Sequence, residues 1–153
     1  GGHGRPMSGV LDTNLLLYGV NRDCPEHAAA RRFLDGVRAA DGVWYLTEGI
    51  GYEFLRVATH GRVFPAPLKA ADALCFWETL LAWPNVNLLA AGPRHWRILR
   101  TVLAAQHAPA GNLFFDLRTV ALMREHGIRT IYTADADFHR FKEIEMVNPL
   151  LGS

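Results

Sequence analysis

Four acidic side chains, Asp12, Glu53, Asp116 and Asp135, stand where apolar patterning would place something else. Asp12 interrupts a hydrophobic run, between Val10-Leu11 and Leu15-Leu16-Leu17, with Thr13 and Asn14 beside it. Glu53 lies between Tyr52 and Phe54. Asp116 follows Leu113-Phe114-Phe115, on the side that Val120 and Met123 continue. Asp135, with Asp137 two residues on, follows the apolar Ile128 to Tyr132. A carboxylate withdrawn from water is costly unless something compensates its charge. Several of them within a few ångströms repel until a proton or a cation intervenes. A hard divalent ion with oxygen ligands is the economical answer, and Mg²⁺ suits such a set. The chain has no paired His or Cys spacing of the kind zinc uses. A divalent ion held this way can acidify water and hold a phosphate oxygen, the equipment for phosphodiester hydrolysis. Taken singly, each acid also has an ordinary reading: a helix cap for Asp12, a dipole partner for Asp116, a solvated helix residue for Glu53, and turn residues for Asp135 and Asp137.

The elements that would gather these acids can be traced in order. Ser8–Leu11 is a short strand, and Asp12 or Thr13 caps a helix over Leu15 to Val20. Pro25 and Glu26 suit the first turn of a helix whose apolar positions are Ala29, Phe33, Leu34 and Val37. Val43 to Leu46 forms a second strand, and Thr47 caps a third helix carrying Ile50, Phe54, Leu55 and Ala58. Phe64-Pro65-Ala66-Pro67 makes a loop. A helix over Leu68 to Trp83 follows, then a strand over Val86 to Leu89. Gly92-Pro93 opens a helix with Trp96, Leu99, Val102 and Leu103 along one side. Asn112 caps a helix from Leu113 to His126 that Gly127 ends in a left-handed turn. Ile128 to Tyr132 is a fourth strand, Asp135 to Phe141 a helical turn, and Glu145 to Val147 an edge strand. This alternation implies an α/β domain with a mostly parallel sheet of four to five short strands flanked by helices. Asp12 and Asp135 then fall at the carboxyl edge of the sheet, where open α/β sheets bind ligands.

At 153 residues and 50% hydrophobic, the chain is sized for one domain over residues 7–150. Gly1 to Pro6 reads as a cloning or expression-tag remnant. The net charge is +1, and all but Lys69 and Lys142 of the 16 basic residues are arginine, whose planar fork suits phosphate. Cys24 and Cys75 are expected to be buried, reduced thiols. No apolar run approaches a membrane span and no secretory signal is visible, so the expected location is the cytoplasm.

Taken together, Val10-Leu-Asp-Thr-Asn, Tyr52-Glu-Phe-Leu-Arg-Val-Ala-Thr, Asn112-Leu-Phe-Phe-Asp and Thr133-Ala-Asp-Ala-Asp-Phe give a chain that resembles the PIN-domain ribonucleases, in particular the VapC toxins of toxin-antitoxin pairs. The resemblance spans essentially everything after Pro6. It implies that Asp12 and Asp116 are the principal metal ligands, that Glu53 completes the acidic cluster, and that Asp135 acts through metal-bound water. Asp137 could share that role, and the two are not separable here. It also implies that Thr13, Asn14 and Thr133 orient the carboxylates. Leu117-Arg118 departs from the family pattern, which favours a small residue after the acid.

The activity implied is Mg²⁺-dependent cleavage of RNA, with Mn²⁺ equally able to accept oxygen ligands. The partners implied are RNA, a small antitoxin of the VapB type and a second copy of the chain, and the outcome is arrest of translation and growth. Arg94, Arg97 and Arg100 could read phosphates or be a solvated face. Arg56 could contact RNA or pair an acid, and Arg118 could contact phosphate or alter access. The four tryptophans read as packing residues, and Leu15, Leu16, Phe33 and Trp77 as the antitoxin groove. Three alternatives compete. One is a PIN-type nuclease of RNA or DNA processing with no antitoxin. Another is a receiver-like signalling module, which would want a lysine after a late strand where Lys142 follows a helical turn. The last is an inactive RNA-binding or antitoxin-sequestering protein.

Overall fold

A computed structural model describes residues 7–61 and 65–151, so the proposed tag and part of the 60–67 loop lie outside the described residues. Five short strands form one sheet in the order β3-β2-β1-β4-β5: β1 (Gly9–Leu11), β2 (Trp44–Thr47), β3 (Val86–Leu89), β4 (Thr130–Tyr132) and β5 (Glu145–Val147). Every pairing is parallel. Parallel strands need crossovers that cover the sheet. These are α1 (Thr13–Val20) with α2 (His27–Ala39), α3 (Glu48–Ala58) with α4 (Ala70–Leu81), α5 (His95–Ala104) with α6 (Leu113–Glu125), and a 3-10 turn at Ala136–Arg140.

The sheet's central place falls to β1, whose three residues are all buried. Pairing of Val10 with Ile131 and of Leu11 with Tyr132 sets β1 and β4 side by side, which brings the residues after each strand to one edge. The Asp12 amide donates to the Tyr132 carbonyl (3.0 Å), extending that ladder by one step into the site. Below it, Trp44 packs edge-on to both Phe33 and Tyr132.

Local signals explain most boundaries. Thr47 Oγ1 accepts from the Ile50 amide (3.1 Å) and starts α3, and Asp12 accepts from the Thr13 amide (2.8 Å) and starts α1. Gly127, with φ +70°, supplies the left-handed turn after α6. Gly51 has no room for a methyl group, because the Trp77 indole lies 2.6 Å from where one would be. Asn112 departs from expectation: it precedes α6 but makes no capping hydrogen bond. Its backbone is already helical (φ −64°, ψ −17°), whereas a capping side chain reaches the free amides from an extended conformation.

Other expectations also need correction. Leu15 and Leu16 have no exposed surface and Trp77 almost none, while the half-buried Phe33 stacks on Tyr132 (5.5 Å). They belong to the core and cannot form a docking groove. Trp44 and Trp77 pack inside as expected, but Trp96 is 77% exposed. The buried side of α5 runs through His95 and Val102, and Trp96 is turned by about 100° from His95. Both cysteines are free, yet Cys75 is exposed and Cys24 only half-buried. Among the described residues, no helix is long and apolar enough to cross a membrane.

Candidate active site

Where β1 and β4 end, a hydrogen-bonded frame holds the first acid. Thr133 Oγ1 donates to Asp12 Oδ2 (2.8 Å), and the Thr13 amide donates to Oδ1. Asn14 Nδ2 donates to Asp12 Oδ2 (3.3 Å) and to Thr133 Oγ1 (2.9 Å). The Asn14 oxygen in turn accepts from the Ala134 amide (3.0 Å). Thr13, Asn14 and Thr133 thus all hydrogen-bond to Asp12, and Asn14 and Thr133 tie β1 to the turn after β4. Thr13 Oγ1 also donates to Glu53 Oε2 (3.2 Å), linking α1 to the acid of α3. The Asp135 amide donates to Thr133 Oγ1 (3.0 Å) and the Asp137 amide to Asp135 Oδ1 (2.9 Å). One threonine, Thr133, thus organises two acidic segments.

Glu53, Asp116, Asp135 and Asp137 line one cleft of about 400 Å³, together with Gly49, Tyr52, Arg56, Asn112, Phe115 and Arg118. Asp12 does not line this cleft, yet its charge is the largest neighbouring influence on Asp116. Burial pushes the Asp12 carboxyl up to about 6, against the pull of the Thr133 and Thr13 hydrogen bonds, and the charges of Glu53 and Asp135 add to the rise. Asp116 is pushed up to about 7, by burial first and then by Asp12, Asp135, Glu53 and Asp137. Each of these two acids therefore keeps its proton to a higher pH than an ordinary carboxylate does. They form a site short of positive charge.

A divalent ion would relieve that shortage, since a cation favours the ionised form of each acid. The donors on offer are all carboxylate oxygens, the kind that Mg²⁺ and Mn²⁺ accept. As the side chains stand, no three His, Cys, Asp or Glu groups among the described residues are arranged to hold a metal ion. The acids border the cleft rather than converge on a point. Charge and donor type fit an ion, and some drawing together of the carboxylates would accompany its binding.

The candidate phosphate contacts divide. Arg56 and Arg118 line the cleft; Arg118 also lies 3.9 Å from Glu48, both of them largely exposed. Such a pair contributes little and can exchange partners readily. Arg97 and Arg100 are exposed on α5 and Arg94 just before it, and none of the three lines the cleft. Arg94 reaches the Glu125 carbonyl (3.5 Å), at the opposite end of α6 from Asp116. No histidine lines the cleft among its described residues. Sequence reasoning assigned no site role to Tyr52 and Phe115 and only a capping role to Asn112, and all three line the cleft. The signal was present in Tyr52-Glu53 and Phe115-Asp116, an aromatic ring directly before each acid.

With this geometry in place, comparison with known proteins is informative. A sequence model of the PIN domain matches residues 9–144. Ribonuclease VapC48 of Mycobacterium tuberculosis is 34% identical over 146 residues, 95% of this chain and 100% of that protein. Ribonuclease VapC33 of the same organism is 37% identical over 141 residues, covering 92% and 97%. The crystal structure of VapBC2 from Rickettsia felis bound to a DNA fragment from their promoter matches with a TM-score of 0.64 at 16% identity, over 93% of this chain and 98% of that one. That last likeness is one of fold.

Proposed function

The chain belongs to the PIN domain family, and from that premise we propose that it is a metal-dependent endoribonuclease, the toxin of a toxin-antitoxin pair. The observation that carries the proposal is the cleft that Glu53, Asp116, Asp135 and Asp137 border, with the charge of Asp12 acting on Asp116 from beside it. The near relatives are named ribonucleases over nearly their whole length, and VapBC2 from Rickettsia felis gives the fold a partnered precedent.

Asp12 and Asp116 would hold the ion, Mg²⁺ or Mn²⁺, with Glu53 and Asp135 or Asp137 completing the acidic set. A bound divalent ion supplies Lewis acidity, making water more acidic and steadying charge on a phosphoryl oxygen. The chain's own residues do the remainder. Thr133, Thr13 and Asn14 hold the Asp12 carboxylate in one orientation, so that little reorganisation is needed when charge develops. Glu53, which accepts from the Thr13 hydroxyl, and Asp135, whose carboxylate accepts from the Asp137 amide, would take the proton that the attacking water loses. Arg56 and Arg118 at the cleft wall draw the RNA phosphate toward the acids. No covalent enzyme intermediate is required.

As a toxin the chain would arrest translation and growth and be silenced by a small VapB-type antitoxin, and two copies would pair to extend the RNA-binding face. A cleavage map of total cellular RNA, with Mg²⁺ and with chelator, tests enzyme, metal and substrate together. Discrete cuts that need Mg²⁺ are expected. Intact RNA under both conditions would refute the proposal.

A further inference from the structure

The two walls of the cleft repeat one arrangement. On α3 the order is Tyr52, Glu53, Arg56; on α6 it is Phe115, Asp116, Arg118. All six residues line the same cleft. Both rings are in water, Tyr52 at 73% exposure and Phe115 at 63%. The Tyr52 hydroxyl makes no hydrogen bond among the described residues, and neither ring packs against another aromatic. Each wall therefore presents an open π-face, an acid and a cation. A single exposed ring is ordinary on a protein surface, but two rings facing one acidic cleft with an arginine apiece are not explained by packing.

We propose that Tyr52 and Phe115 are stacking platforms for the bases that flank the scissile phosphate, the two residues with which this cleft grips an unpaired strand. The proposal rests on the ribonuclease function argued above and adds two substrate-positioning residues to it. Stacking needs an unstacked base with a free face, and every base has one, so the rings supply affinity for single strands without choosing a sequence. Arg56 and Arg118 complement the phosphates between those bases. In a duplex the base faces are already occupied by their neighbours, and these rings would find nothing to cover.

A protein partner is the competing occupant. Tyr52 also borders a shallow apolar hollow with Leu55, Leu74 and Leu88. Phe115 does not line that hollow, which favours the nucleic acid for the pair.

The test uses the Asp116→Asn background, expected to hold RNA without cutting it. Fluorescence anisotropy would follow a labelled mixed-sequence oligoribonucleotide of about 12 nucleotides, alone and annealed to its complement. The single strand is expected to bind on the order of tenfold tighter than the duplex. Tyr52→Ala and Phe115→Ala should each weaken the single strand by about tenfold and leave the duplex unchanged. Tyr52→Phe and Phe115→Tyr should restore binding, whereas Phe115→Leu, which keeps apolar bulk without a π-face, should not. Alanine variants that bind as tightly as their parent, or full rescue by leucine, would overturn the proposal. So would intact RNA affinity with a dimer that dissociates, because the rings would then belong to a protein contact. Failure of the wild type to cut any RNA would instead count against the nuclease function itself.

Discussion

Asp116 and Glu125 ride the same helix about two and a half turns apart, and the protein treats them in opposite ways. Glu125 is withdrawn from water (6% exposed) and 3.9 Å from His95 Nδ1. Both of its oxygens accept from the Gly92 amide, at 3.0 and 3.1 Å, so it knits α6 to the start of α5. Asp116 has no hydrogen-bond donor among the described residues and faces four other carboxylates, and its carboxyl is pushed up to about 7. A buried acid that serves architecture is given donors by the fold. One that serves chemistry is left short of them, and the shortage marks where something from outside must bind.

The largest effect expected from breaking this contrast is on activity. Asp116→Asn, or Asp12→Asn, should cut RNA hydrolysis by about a hundredfold or more while thermal unfolding stays close to wild type. Next, Thr133→Val should lower the cleavage rate by roughly tenfold by freeing the Asp12 carboxylate, a loss that single-turnover kinetics would place in the chemical step. Glu125→Ala should do the reverse. The Gly92 amide loses its acceptor and His95 its neighbouring carboxylate, at a cost of about 1–3 kcal/mol in denaturant unfolding, while the folded fraction keeps its cleavage rate.

The smallest effect is on stability against pH. Folded Asp12 and Asp116 bind protons more tightly than the unfolded chain, whose carboxyls titrate near 3.8. Their contribution to stability is thus present at low pH and lost as pH rises through about 6 to 7. The metal-free protein should melt at a lower temperature as pH is raised across that window, and Asp116→Asn should flatten the fall. Mg²⁺ should stabilise the wild type most on the alkaline side, where the acids are ionised. Equal stabilisation of Asp116→Asn by Mg²⁺ would place the ion elsewhere.

Much of this site was legible in the sequence because its acids violate the pattern around them. A strand, an Asp and a capping frame can be recognised from Val10-Leu11-Asp12-Thr13-Asn14 alone, and the Thr47 cap and Gly127 turn from residue type. Strand order was not legible: strands of three or four residues are too short to carry an alternation that could fix their neighbours. Helix α6 is buried from Leu117 to Met123 with Arg118 the one exposed residue, so periodicity could not separate its faces, and nothing in it marked Glu125 as withdrawn from water. Trp96 was misplaced because His95 holds the buried position that an apolar residue was expected to take. Tyr52 and Phe115 were missed because an aromatic residue beside Phe54 or Phe114 resembles core until its direction is known.

The central claim is that the acid-lined cleft hydrolyses RNA with the help of a divalent ion. Its most direct test is the rate of RNA hydrolysis by wild type and Asp116→Asn, each with Mg²⁺ and with chelator. Cleavage is predicted for the wild type with Mg²⁺ alone, with both variant reactions near background. An Asp116→Asn protein that cuts RNA as fast as its parent would contradict the account.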